Sequence, residues 1–171
     1  MRFNFRMSLG PFAIFFMFSH RQRLEGICSK VVGEEDKHMH YIFWDLEGYP
    51  LERVIQKLKE VQREFKLGDI YILSDHPNSF RALCFSKRSF IEYIHILVHS
   101  FPELDFGFFI WSIRRTNATI RLSDKVGRPK QKLVAVLPGY EPTELPKKVL
   151  WCVYETGLEK VGKTIELGFK R

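Results

Sequence analysis

The segment Leu51–Phe65 constrains the fold more than any other stretch. Leu51, Val54, Ile55, Leu58, Val61 and Phe65 recur at helical spacing, while Lys, Glu, Arg and Gln fill the opposite face. Such a helix must lie on an apolar surface. The preceding run HMHYIFWDLE (38–47) follows a charged turn, GEEDK, and is rich in aromatic and β-favouring residues, so it predicts a strand that GYP (48–50) breaks. Gly68 in KLGD is the expected C-cap of the helix. IYILS (70–74) and FRALCFS (80–86) predict a hairpin around the turn DHPNS (75–79). From 87 to 100, Phe90, Ile91, Ile94, Leu97 and Val98 mark a second helix, stopped by FPELD. FGFFIWSIRR (106–115) and ATIRLSD (118–124) read as strands of a hairpin turning at Thr116–Asn117. KLVAVLPG (132–139) is a further strand, GYEPTELPKK (139–148) a Pro-rich loop, and VLWCVYE (149–155) and TIELGFK (164–170) are late strands.

The order strand, helix, strand, strand, helix, strand predicts an α+β fold. Its core is a ferredoxin/RRM-like βαββαβ arrangement, an antiparallel sheet with two helices on one face and the other face open for ligands. Additional C-terminal strands follow, and residues 1–36 form an N-terminal extension ahead of a single domain over 37–171. The length of 171 residues suits that plan, and 45% hydrophobic content with 16 Phe argues against disorder. Arg2 and Arg6 ahead of LGPFAIFFMF superficially resemble a signal peptide. That apolar run, about ten residues, is too short to span a bilayer, and no small-x-small cleavage site follows it. The extension reads as a strand and a packed hydrophobic segment, with an interfacial or partner-binding role left open. Cys28, Cys84 and Cys152 form neither CxxC nor zinc spacing, which suits a reduced, cytoplasmic protein with buried thiols.

Charge is unevenly spread within the net +7. Thirteen acids face nine Lys/Arg between Glu34 and Asp105, whereas seven Lys/Arg face Asp124 alone between Trp111 and Lys132. An acidic centre followed by a basic stripe suits an anionic ligand and its metal; idle surface faces can carry the same pattern. Strand alternation puts Ile42, Trp44 and Leu46 on one face, towards the helices, and Tyr41, Phe43, Asp45 and Glu47 on the open one. Two carboxylates that close repel, and a divalent metal or a basic partner would neutralise them. Ser79 and Arg81, at the start of a strand, could meet phosphate oxygens. Asp105 would bring a third carboxylate towards the first two, as two-metal phosphoryl transfer requires. Arg114, Arg115, Arg121, Lys125, Arg128 and Lys130 then supply cations for phosphates or a nucleic-acid backbone.

The order of these short motifs resembles the archaeo-eukaryotic primase superfamily, and within it the primase-polymerase domains of archaeal plasmids and viruses. The resemblance spans roughly 41–128: DLE on the first strand, SFR on a hairpin strand, and Asp105 before a later strand. It implies a replication protein that transfers nucleotides on a DNA template with Mg²⁺ or Mn²⁺. Asp45, Glu47 and Asp105 would be its catalytic, metal-binding carboxylates. Ser79, Arg81, Arg121 and Lys125 would meet the nucleoside triphosphate, and Arg114, Arg115, Arg128 and Lys130 the nucleic acid. DNA, with RNA as the other candidate, nucleoside triphosphates and replication subunits are the implied partners, and a membrane is not among them. Where the family's Ser-x-His motif has its His, this chain has Arg81, which does not titrate near neutrality, so catalytic competence is open. His76 is the nearest imidazole.

Other function classes use the same residues. A non-catalytic RRM-like binding module or accessory subunit would stack bases on Phe43 with Phe80 or Phe85, although SFRALCFS lacks the Gly-aromatic spacing of the second RRM signature. His38 and His40 with Tyr93 could instead serve a rolling-circle-type nickase, but no Lys follows Tyr93 at the next helical turn. His95 and His99, at i, i+4, could chelate a metal but lack a third ligand in the sequence.

Overall fold

A computed structural model describes residues 2–9, 12–19, 23–33, 38–123, 128–155 and 165–166. Residues Arg2–Leu9 (β1) and Phe12–Ser19 (β2) pair antiparallel, from Arg2 opposite Ser19 to Leu9 opposite Phe12. One four-stranded antiparallel sheet is built from Arg23–Cys28 (β3), Thr119–Arg121 (β7), Leu150–Glu155 (β9) and Ile165–Glu166 (β10), in the order β10-β9-β3-β7. The other contains Met39–Glu47 (β4), Ile70–His76 (β5), Ser79–Ser89 (β6) and Lys132–Leu137 (β8), in the order β4-β6-β5-β8. With three helices among the described residues, the fold is α+β. β3 comes from within the stretch expected as an extension, yet Leu24 and Ile27 on it are core residues.

The helix Leu51–Phe65 (α1) buries Val54, Leu58, Val61 and Gln62 along one stripe. It ends at Lys66, which takes the left-handed conformation at φ 52°, rather than at the expected Gly68. Gly68 has a packing role instead, since a Cβ there would lie 2.4 Å from the Thr143 hydroxyl. The second helix, Phe90–His99 (α2), starts three residues later than expected because Ser89 and Glu92 form a reciprocal capping box. Trp44 on β4 donates from Nε1 to Ser100 Oγ at 2.9 Å, and the His40 ring packs against Phe90 and Tyr93, so this face of β4 meets α2.

Two expectations fail here. The run FGFFIWSIRR is not a strand but a helix, Phe106–Arg115 (α3), and no hairpin turns at Thr116. Asp105 caps it by accepting from the Phe108 N–H at 2.5 Å, and Thr116 closes it in the left-handed region. The strand expected after α2 to complete the ferredoxin-like order is thus replaced by a helix. β7 joins the other sheet, while β8 pairs with β5 at the edge away from β4. Nor is the second face of β4 open. Tyr41 and Phe43 are buried, in one apolar core with Ile27, Val31, Ala118 and Ile120 from the β3 and β7 region. A strand covered on both sides explains why YIFW (41–44) is apolar throughout rather than alternating.

Candidate functional site

Only one end of that covered face is polar, and several elements meet there. In the antiparallel register Asp45 lies opposite Arg81 and Glu47 opposite Ser79. The free edge of β4 is met by residues 103–105, which run antiparallel to it: Leu104 bridges Leu46, and the Asp105 N–H donates to the Asp45 carbonyl at 2.8 Å. The three acidic residues named from sequence are therefore neighbours along the backbone at this end of β4, although Asp105 arrives from a helix cap rather than a strand. The Asp45 side chain is 24% exposed, and its Oδ1 accepts no hydrogen bond among the described residues. Burial pushes its pKa up to about 6; Glu47 and Asp105 add to the rise, while Arg81, and more weakly Arg128, oppose it.

Arg81 is not the exposed phosphate hook that its strand position suggested. It is 6% exposed, with Nε 3.7 Å from Asp45 Oδ1 and Nη1 donating to Asp75 Oδ2 at 3.3 Å. Arg121, on β7 of the other sheet, is equally buried and donates from Nη2 to the same Asp75 oxygen at 2.5 Å. Its Nη1 reaches the Ser123 carbonyl. Asp75, which from sequence looked like a turn residue, thus joins the two sheets. A register shift between Ser74 and His76 makes it the extra residue of a β-bulge on β5, a device that re-aims a side chain. Ser79 Oγ donates to Glu47 Oε1 at 3.4 Å, and Arg128 Nη1 lies 3.4 Å from Ser79 Oγ and 3.6 Å from Glu47 Oε1.

The remaining candidates lie elsewhere. Arg114 and Arg115 place their guanidiniums over the Trp111 ring, 5.4 and 4.7 Å from its centroid. They sit at the C-terminal end of α3, about 13 Å along the helix from Asp105. Lys130 is exposed, and Lys125 lies outside the described residues. His76, the exposed last residue of β5, has Nδ1 2.9 Å from the Pro77 carbonyl oxygen, so it does not stand in for Arg81.

Both competing constellations lose their geometry. Phe43 and Phe80 are buried and offer no stacking platform, and Phe85 packs edge-on against Tyr41. For the nickase, Tyr93 is fully buried with its hydroxyl donating to the Phe43 carbonyl at 3.1 Å. His40 faces α2, bonded to Ser29 Oγ, and burial, helped by Lys30, brings its pKa down to about 4. His99 pairs with Glu64 rather than with His95.

Among the described residues no three His, Cys, Asp or Glu side chains form a ready-made metal cluster, and no helix is long and apolar enough to cross a membrane. No family model matches the chain, and no curated protein or solved structure was found to match it.

Proposed function

We propose that the chain is a primase-polymerase-like protein whose site at the Asp45 end of β4 binds a nucleoside triphosphate and joins it to a nucleic-acid 3′-hydroxyl. The observation that carries this reading is Asp45 itself. A carboxylate largely removed from water, its Oδ1 without a hydrogen bond among the described residues and 3.7 Å from Arg81 Nε, with two more acids pressing on its pKa, is costly unless a further cation or a proton compensates it. The succession β4–α1–β5–β6–α2, with β6 between β4 and β5, supports the family-like scheme through its first five elements.

A divalent cation fits this donor set. Mg²⁺ is commonly held by one or two carboxylates together with substrate phosphates, so a closed protein cage is not required. Asp45 and Glu47 would hold Mg²⁺ or Mn²⁺, with Asp105 adjoining. The cation, when bound, supplies neutralisation of charge on the phosphoryl group being transferred. The chain's own part is to bind and align. Arg81, Arg121 and Arg128 would offer guanidiniums to phosphate oxygens, and the buried surroundings of Arg81 and Arg121 would strengthen those two contacts. The hydroxyl attacks the α-phosphate, and pyrophosphate leaves.

Arg81 favours a second reading, a nucleotide-binding accessory protein without transfer chemistry, because it is buried in ion pairs where the family carries His. Primer extension and primer synthesis with Mg²⁺ or Mn²⁺, run beside Asp45→Asn and Asp105→Asn, separate the two. Asn at 105 keeps the oxygen that caps α3, so a loss of activity there reports charge rather than unfolding. Metal-dependent extension lost in both variants supports the enzyme. Nucleic-acid or nucleotide binding that survives in both, with no extension by the unaltered chain, overturns it in favour of the accessory protein.

A further inference from the structure

The buried Asp75 has no part in the chemistry proposed above, yet it touches both buried arginines of the site. We propose that Asp75 is the positioning residue of that site, holding Arg81 and Arg121 as a pair for the phosphate oxygens of the nucleotide; this rests on the function proposed above.

The case begins with charge. One carboxylate serves two guanidiniums through a single oxygen, Oδ2, with Arg81 Nη1 at 3.3 Å and Arg121 Nη2 at 2.5 Å. Three ionised groups then carry one surplus positive charge inside the protein. Asp45 supplies the second negative charge, with its Oδ1 3.7 Å from Arg81 Nε, an ion pair without a hydrogen bond. Arg81 is thus held to Asp75 by a hydrogen bond and to Asp45 by charge alone. A cation holding Asp45 would leave Arg81 with charge to spare for an anion.

Economy of folding gives no simpler reason for Asp75. Buried ion pairs are often no more stabilising than apolar residues of similar volume, and Asp75, with a fully buried side chain, also leaves Oδ1 without a hydrogen bond among the described residues. The bulge that mounts it adds a residue at the end of β5. Its two partners come from different sheets, Arg81 from β6 and Arg121 from β7. Arg121 is also held by the Ser123 carbonyl and Arg81 by Asp45, but among the described contacts Asp75 is the side chain that joins the two guanidiniums to each other. A residue of this kind acts through others: it touches neither the nucleotide nor the metal.

The test is Asp75→Asn in the full chain, with folding checked by circular dichroism. Steady-state extension should show the KM for the Mg²⁺-bound deoxynucleotide rising about tenfold to a hundredfold, the scale of one or two charge-assisted hydrogen bonds. The kcat should change far less, whereas Asp45→Asn should abolish it. Independently of turnover, ¹⁵N NMR of the arginine Nε–Hε groups should show inorganic pyrophosphate shifting Arg81 and Arg121 together in the unaltered protein, and neither in Asp75→Asn. If the unaltered chain transfers no nucleotide, the functional reading falls alone and the NMR arm still decides the role of Asp75. Unchanged KM, or an unchanged pyrophosphate response at both arginines, overturns the proposal. If Asp75→Asn does not fold, Asp75→Glu must show the same loss of response, because it keeps the charge but moves it by one methylene; a full response there overturns the proposal too.

Discussion

Replacing Asp45 by Asn should stabilise the protein at neutral pH, although Asp45 stands at the centre of the proposed site. The fold holds its carboxyl at a pKa of about 6, about two pH units above the value of an unfolded chain. The sign follows from proton linkage. Between roughly pH 4 and 6 the native state binds more protons than the unfolded one, so stability is greatest below the unfolded pKa and is lost as pH rises through the folded one. Two units correspond to at most ~3 kcal/mol. Since the side chain retains 24% exposure, an expected gain of ~2 kcal/mol for Asn at pH 7.5 allows for solvent screening. At pH 4 the carboxyl is protonated in the fold, and the two proteins should differ by only about 0.5 kcal/mol. The assay is urea unfolding in EDTA at both pH values, comparing the variant with the unaltered chain. The comparison matters because His40 titrates in the same window with the opposite sign, so the pH curve of one protein alone mixes the two. Adding Mg²⁺ tenfold above its dissociation constant should return about 1.4 kcal/mol to the unaltered chain and nothing to the variant. Equal stability at pH 7.5, or an advantage that does not shrink at pH 4, refutes the reasoning.

Two further outcomes follow from the same geometry. His40 is held neutral, with its pKa brought down to about 4 mainly by burial; its contribution is therefore present above about pH 6.5 and lost as pH falls through 4. His40→Gln should lower stability at pH 7 by losing its ring contacts with Phe90 and Tyr93, and that deficit relative to the unaltered chain should shrink between pH 6.5 and 4 in denaturation series; a constant deficit refutes this. Gly26→Ala would put a Cβ 2.2 Å from the Ile120 carbonyl oxygen, so β7 must shift, at a cost of about 1–3 kcal/mol in thermal unfolding. Because Gly26 pairs with Arg121, the same variant should weaken nucleotide binding, and a neutral result on both counts refutes the close approach.

What could be read from the sequence divides along a physical line. Residues 51–65 declare their helix because one element must present one stripe, and periodicity records that directly. The hairpin of β5 and β6 is announced by turn residues between β-favouring runs. FGFFIWSIRR carries no such record: its first eight residues are apolar but for Gly107 and Ser112, too few breaks from which to take a period, and strand and helix compete equally for them. The cues that decide it lie at its two ends, in Asp105 three residues before the Phe108 N–H it caps and in Arg114 and Arg115 in the last turn, where cations suit the helix dipole. The expectation of an open face failed for a related reason. Alternation has no hold on YIFW, which is apolar at every position from Tyr41 to Trp44, and such a run belongs to a strand covered on both sides. For the site, the kinds of residue were visible but not their pairing. Asp45 and Glu47 could be placed together because their separation is two positions on one strand. Asp75 could not be placed with Arg81 and Arg121, because that depends on one extra residue in β5 and on a strand from the other sheet 46 positions away. A single-residue bulge decides which face a side chain meets, and pattern along one strand holds no information about its partner's register. The residues that orient a site are therefore the hardest to read in advance, since their chemistry is ordinary and only their register is special.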